Sequence, residues 1–101
     1  MYYIGVDLGT SAVKLILMDK EGNVVKTVSR EYPLYFPKPG WSEQNPQDWF
    51  AQSMEGIKEL TSECDKSQVA GISFGGQMHG LVVLDKEDQV IRPAILWNDG
   101  R

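Results

Sequence analysis

Every second residue of 4–8 and of 13–17 is a large aliphatic side chain, and only Gly9, Thr10, Ser11 and Ala12 separate the two runs. Such period-two alternation on either side of a glycine-bearing reversal predicts two antiparallel strands, over residues 3–8 and 12–18. Ile4, Val6 and Leu8 then share one face with Val13, Leu15 and Leu17, which commits that side of the pair to a core. Asp7 points to the opposite side. Gly9 lacks the Cβ that keeps a large anion off the backbone, and Thr10 and Ser11 bring hydrogen-bond donors. A turn of this kind can gather N–H groups into a phosphate-binding concavity, while the Asp7 carboxylate can reach a magnesium ion through its water shell. An ordinary hairpin turn uses the same residue types for conformational reasons, so these residues alone leave both readings open.

The rest of the chain predicts a mixed α/β domain. Residues 19–23 form a polar turn, and residues 24–31 are a third strand whose mixed pattern suits an edge. Residues 33–44 hold three prolines and Gly40, which describes a connecting loop with Trp41 as its anchor. Asn45, Pro46 and Asp48 read as an N-cap, a first helical residue and an acid at the positive helix end. The spacing of Phe50, Met54, Ile57, Leu60 and Cys64 predicts a helix over 46–63 that packs this stripe on the sheet. Residues 69–74 read as a buried strand, parallel to the sheet because a helix crossover precedes it. Residues 80–84 and 90–96 are further strand candidates around a charged turn at 85–89.

A chain of 101 residues supports one small domain with a modest core and is too short for a complete multidomain enzyme. The net charge of −4 argues against broad nucleic-acid or anionic-membrane binding. Cys64 is the sole cysteine and His79 the sole histidine, so intrachain disulfides, cysteine-rich zinc sites and histidine-rich metal centres are excluded. No apolar run approaches the ~18 residues that span a bilayer, and the amino terminus lacks a basic leader region. These features read as a cytoplasmic protein. The Walker phosphate loop and the Gly-x-Gly-x-x-Gly pattern are both absent, so a nucleotide site here needs other architecture.

Two further segments carry chemistry. Gly75-Gly76-Gln77-Met78-His79-Gly80 lies beyond the carboxyl end of a strand, where ligands of open α/β sheets bind. Gln77 and His79 offer hydrogen bonds suited to sugar hydroxyls, and Met78 offers an adaptable apolar wall. A plain polar loop with an exposed His79 accounts for the same residues. In residues 95–101, Asn98, Asp99 and Arg101 suit either a polyol contact or a structural ion pair, and Trp97 reads as packing.

In order and spacing, IGVDLGTS at 4–11, PKPGWSEQNP at 37–46, GGQMHG at 75–80 and ILWNDGR at 95–101 resemble the start of the FGGY carbohydrate kinase family. The resemblance covers essentially the whole chain. It implies an actin-like, ribonuclease H-like α/β fold, with a mixed sheet and a helix crossover, in which two domains enclose ATP, Mg2+ and a small-molecule sugar. Residues 1–101 would be the first part of the amino-terminal domain. The same resemblance implies a phosphate turn at Gly9, Thr10 and Ser11, with basic Lys14 beside it. Asp7 becomes the acid tied to activity and to the magnesium shell. Gln77, Met78 and His79 become the sugar segment. Glycerol-kinase relatives carry Arg-Glu where Met78 and His79 stand, so this pair implies transfer of the ATP γ-phosphoryl group to the C5 hydroxyl of D-xylulose. Ribulose is the alternative ketose. The resemblance puts the general base, an aspartate, beyond residue 101, together with the adenosine-binding elements. The 101 residues alone are therefore expected to lack kinase turnover, and uncovered apolar surface predicts a homodimer or self-association. An actin-like ATPase module without sugar chemistry, or a non-enzymatic interaction module, are the rivals from other classes. The first gives the segment at 77–79 no role.

Overall fold

The computed structural model describes residues 1–101. Strands β1 (Tyr2–Leu8) and β2 (Ala12–Asp19) pair antiparallel with Ile4 opposite Leu17, Val6 opposite Leu15 and Leu8 opposite Val13. That register puts the aliphatic rows of both strands on one face. β3 (Val24–Glu31) continues the meander on the outer edge of β2, with an irregularity in the pairing between Leu17 and Met18. The Asp19 carboxylate closes the intervening turn by accepting from the N–H groups of Asn23 at 2.9 Å and Glu21 at 3.0 Å. These bonds hold its carboxyl below the usual carboxylate range.

Helix α1 (Pro46–Leu60) starts as the sequence indicates, with Pro46 in its first turn, although the Asn45 side chain makes no capping bond. It ends at Leu60, short of the expected residue 63. Thr61 Oγ1 donates to the Ile57 carbonyl at 2.8 Å, and Ser62 Oγ and Lys26 Nζ each donate to the Glu59 carbonyl at 2.9 Å. Side chains thus satisfy carbonyls of the last turn. The helix packs on β2 and β3. Gly56 makes the close approach: a Cβ there would lie 2.5 Å from Leu15 Cδ1. The packed row consequently runs through Trp49, Gly56, Ile57 and Leu60, while Phe50 is 70% and Met54 41% exposed. The expected stripe was right for Ile57, Leu60 and Cys64 and wrong for its first two members, because a hydrophobic pattern gives no weight to a glycine used for contact. Ile4, Val6, Val13, Leu15, Leu17, Val28, Tyr32 and Leu60 form the core.

After a 3-10 turn, β5 (Val69–Gly76) joins β1 in parallel, giving the strand order β3-β2-β1-β5. Ile72 pairs with Ile4 and Phe74 with Val6, so both lie on the helix side of the sheet. They are not buried as the sequence suggests: α1 covers β2 and β3, and Phe74 is 67% exposed. Segments 80–84 and 90–96 also differ from the expectation of two strands. They make isolated bridges, Leu81 to Ile95 and Leu84 to Val90, and one short strand, β6 (Ala94–Ile95). β6 pairs with β4 (Glu43–Gln44) in the proline-rich loop, away from the main sheet. Pro93 lacks the N–H that a longer ladder requires. No helix is long and apolar enough to cross a membrane.

Candidate active site

Because β5 runs parallel to β1, their carboxyl ends reach the same edge of the sheet, with Leu8 beside Gly76. The turn at Gly9-Thr10-Ser11 and the segment Gln77-Met78-His79 therefore leave the sheet next to each other. Gly76 permits this closeness, since a Cβ there would stand 2.7 Å from the Leu8 carbonyl oxygen. The Gln77 N–H then donates to that same carbonyl at 2.9 Å.

Within the first turn, all three carbonyls are occupied. The Tyr32 hydroxyl donates to the Gly9 carbonyl, Gln44 Nε2 donates to the Thr10 carbonyl, and the Tyr32 N–H donates to the Ser11 carbonyl at 3.2 Å. Gly9 spends its own N–H on the Ala12 carbonyl at 2.9 Å. The N–H groups of Thr10 and Ser11 and the Ser11 hydroxyl retain no internal acceptor. With acceptors turned inward and donors left free, the turn favours an anion. Burial, with the Asp7 charge adding to it, pushes the Tyr32 phenol up to about 12, so it stays a donor to the Gly9 carbonyl across the ordinary pH range.

The sequence-derived residues fall into two groups. Asp7 and Lys14 are cross-strand partners on the face opposite α1 and line a cleft of about 320 Å³ with Gly5, Ile16, Ser73 and Gly75. Thr10, Gly76, Gln77, Met78, His79 and Trp97 line a second cleft of about 360 Å³. Neither of these clefts holds both groups. His79 has φ 59°, a left-handed conformation uncommon for a residue with a side chain, and Met78 is 71% exposed beside it. Trp97, read as packing, is instead 55% exposed, and its indole donates to Thr10 Oγ1 at 3.2 Å. Sequence reasoning missed the supports Tyr32 and Gln44. Tyr32 lay just past a strand and Gln44 inside a loop, positions with no local signal for a tertiary bond.

The amino-terminal domain of the FGGY family of carbohydrate kinases matches residues 2–101. The chain belongs to the FGGY family of carbohydrate kinases. It is 54% identical to a xylulose kinase of Bacillus subtilis over 99% of this chain and 20% of that protein. Among solved structures, a xyloylose kinase from Brucella ovis superposes with a TM-score of 0.94 at 46% identity, over 100% of this chain and 22% of the other. A xylulose kinase from Rhodospirillum rubrum gives 0.94 at 34% identity, over 100% and 21%. The chain thus spans about a fifth of the length of these relatives, and its sheet is the actin-like one expected from the family resemblance.

In this FGGY-family chain, the WNDGR segment is a clasp on the proline-rich loop. The Asp99 carboxylate accepts from the Ser42 N–H at 2.7 Å and from Arg101 Nη2 at 2.6 Å. Glu43 accepts from Arg92 at 2.6 Å and Arg101 at 2.7 Å, and the Arg101 guanidinium lies 3.6 Å from the centre of the Trp41 ring. Trp41 is therefore an anchor by cation–π contact. Hydrogen bonds from Arg101, with those from backbone N–H groups, hold the Asp99 carboxyl well below its ordinary 3.8. A depressed folded value stabilises the native state above the unfolded value, so the contribution is complete above about pH 4 and fades as pH falls further. Replacing Asp99 by Asn should lower stability near neutrality and flatten the acid limb of a stability profile followed by Trp fluorescence.

Proposed function

We propose that residues 1–101 are the first part of the amino-terminal domain of a cytoplasmic ketose kinase, which transfers the γ-phosphoryl group of ATP to the C5 hydroxyl of D-xylulose. The observation that carries this reading is the turn at Gly9-Thr10-Ser11, whose carbonyls are all engaged and whose Thr10 and Ser11 N–H groups are free, set beside the segment carrying Met78 and His79. Phosphoryl transfer depends mainly on positioning and on neutralising charge. The free donors of the turn hold phosphate oxygens, and Lys14 adds positive charge near them. Met78 walls the sugar, His79 hydrogen-bonds a hydroxyl, and Gln77 has one amide N–H left to offer. The proton of the attacking hydroxyl goes to a base outside residues 1–101.

A magnesium ion fits these residues in one way. No group of three or more His, Cys, Asp or Glu side chains is assembled to cage a metal, whereas Asp7 presents a lone carboxylate to an open cleft. One carboxylate with the metal otherwise held by phosphates and water matches the habit of Mg2+. Bound there, the ion supplies charge neutralisation on the transferred phosphoryl group. Taken without the rest of the domain, the uncovered Ile72 and Phe74 favour self-association of the chain.

The test is a panel of D-xylulose, D-ribulose and glycerol offered with ATP to the complete kinase. D-Xylulose should be phosphorylated with the highest kcat/KM. In the same assay His79→Ala should raise KM for D-xylulose about tenfold, the loss of one sugar hydrogen bond of about 1.4 kcal/mol, with KM for ATP unchanged. ATP hydrolysis without any phosphorylated sugar would instead identify an actin-like ATPase.

A further inference from the structure

Gln44 is the least exposed polar residue of the chain, at 1%, and it lies between the two turns of the site. Its orientation follows from the chemistry of its neighbours. The Trp49 indole can only donate and meets Oε1 at 2.9 Å, while the Thr10 carbonyl can only accept and faces Nε2. Oε1 therefore accepts a second bond, from Gln77 Nε2 at 3.2 Å, and this fixes Gln77 as well. Gln77 Oε1 is left facing Thr10 Oγ1 at 3.4 Å. The Thr10 oxygen accepts from the Trp97 indole, so its proton is free to go to Gln77. Thr10, Gln77 and Gln44 thus form a closed ring, in which each residue donates to the next. Two indoles feed into it, one from α1 and one from the segment after β6.

We propose that Gln44 is a positioning residue, which through this ring with Gln77 and Thr10 sets the spacing between the phosphate turn and the sugar segment. The inference rests on the phosphate and sugar reading given above. The ring ties the first turn after β1 to the first residue after β5 through side chains and the Thr10 carbonyl, beyond what the β1–β5 ladder already fixes. It also determines what each turn has left for ligands. The Thr10 hydroxyl proton is spent on Gln77, so Thr10 serves a phosphate through its N–H. Reacting groups displaced by about 1 Å can lose on the order of 10²-fold in rate while ligand binding survives. Loss of Gln44 should therefore act on turnover more than on either KM.

The experiment compares Gln44→Met, Gln77→Met and the double variant in the complete kinase. Met keeps the length and volume of Gln without its amide. Each single variant should lower kcat about 30- to 100-fold, with both KM values within about threefold for Gln44→Met and only the sugar KM raised for Gln77→Met, and the kcat of the double variant should be no worse than that of the poorer single one, because both break one ring. Multiplying losses, or a Gln44→Met enzyme within about threefold of the parent kcat, would overturn the proposal. Indole N–H resonances of 15N-Trp-labelled protein provide a readout that needs no turnover. Gln44→Met should move the Trp97 signal, although Trp97 makes no bond to Gln44 and reaches it only through Thr10, either directly or by way of Gln77. A Trp97 signal that stays in place overturns the ring even if the kinase is active. A complete protein that phosphorylates no sugar, with Trp97 shifted as expected, overturns the functional reading and leaves the ring standing.

Discussion

Asp7→Asn in the complete kinase should reduce kcat by about 10²- to 10³-fold, with KM for the sugar within about threefold; the magnitude is that of removing one preorganised group from developing charge. Asn keeps the size of the side chain and loses its charge. Asp7 is exposed, faces the cleft it shares with Lys14, and belongs to no part of the core. Its replacement should consequently leave the unfolding midpoint almost unchanged. The same variant has a signature in the 101-residue chain alone. The Asp7 charge contributes to raising the Tyr32 phenol, so Tyr32 should ionise at lower pH once that charge is gone. An Asp7→Asn kinase with parental kcat would remove Asp7 from the mechanism.

Leu15→Ala should be the most damaging single change to the fold. Leu15 is completely buried in the middle strand of the meander, with its Cδ1 against the Gly56 backbone of α1. Truncation removes the buried methyls and opens a cavity where Gly56 brings the helix against the sheet. The cost expected for such a change is about 2–5 kcal/mol. Domains of this size are stable by about 5–15 kcal/mol, so the loss is a large share of the total. Urea unfolding at constant m-value measures it directly. A change below about 1 kcal/mol would show that α1 is not held on β2 by this contact.

The three-stranded meander and the parallel return of β5 were legible because they rest on period-two patterns, a helix crossover and glycine turns. The two turns of the candidate site were legible where backbone geometry makes them: Gly9 and Gly76 mark the turns, and Thr10 and His79 follow them. What was lost depended on tertiary reach. Gln44 and Tyr32 support the turn after β1 from other elements, and Trp97 contributes an indole rather than packing. The exposed side of β5 was misread for a related reason. An apolar run such as Val69–Gly76 reports that a strand can be covered, and the position of α1 over β2 and β3 decides that here it is not.

In the proposed function, the turn after β1 and the segment after β5 are the nucleotide and sugar sides of one active site. A crystal structure of the complete kinase with D-xylulose and a non-hydrolysable ATP analogue tests it most directly. The terminal phosphates should lie against the N–H groups of Thr10 and Ser11, and the sugar against Met78 and His79 with its C5 hydroxyl turned toward the γ-phosphate. Phosphates bound at another turn, or a sugar seated away from Met78 and His79, would contradict the account.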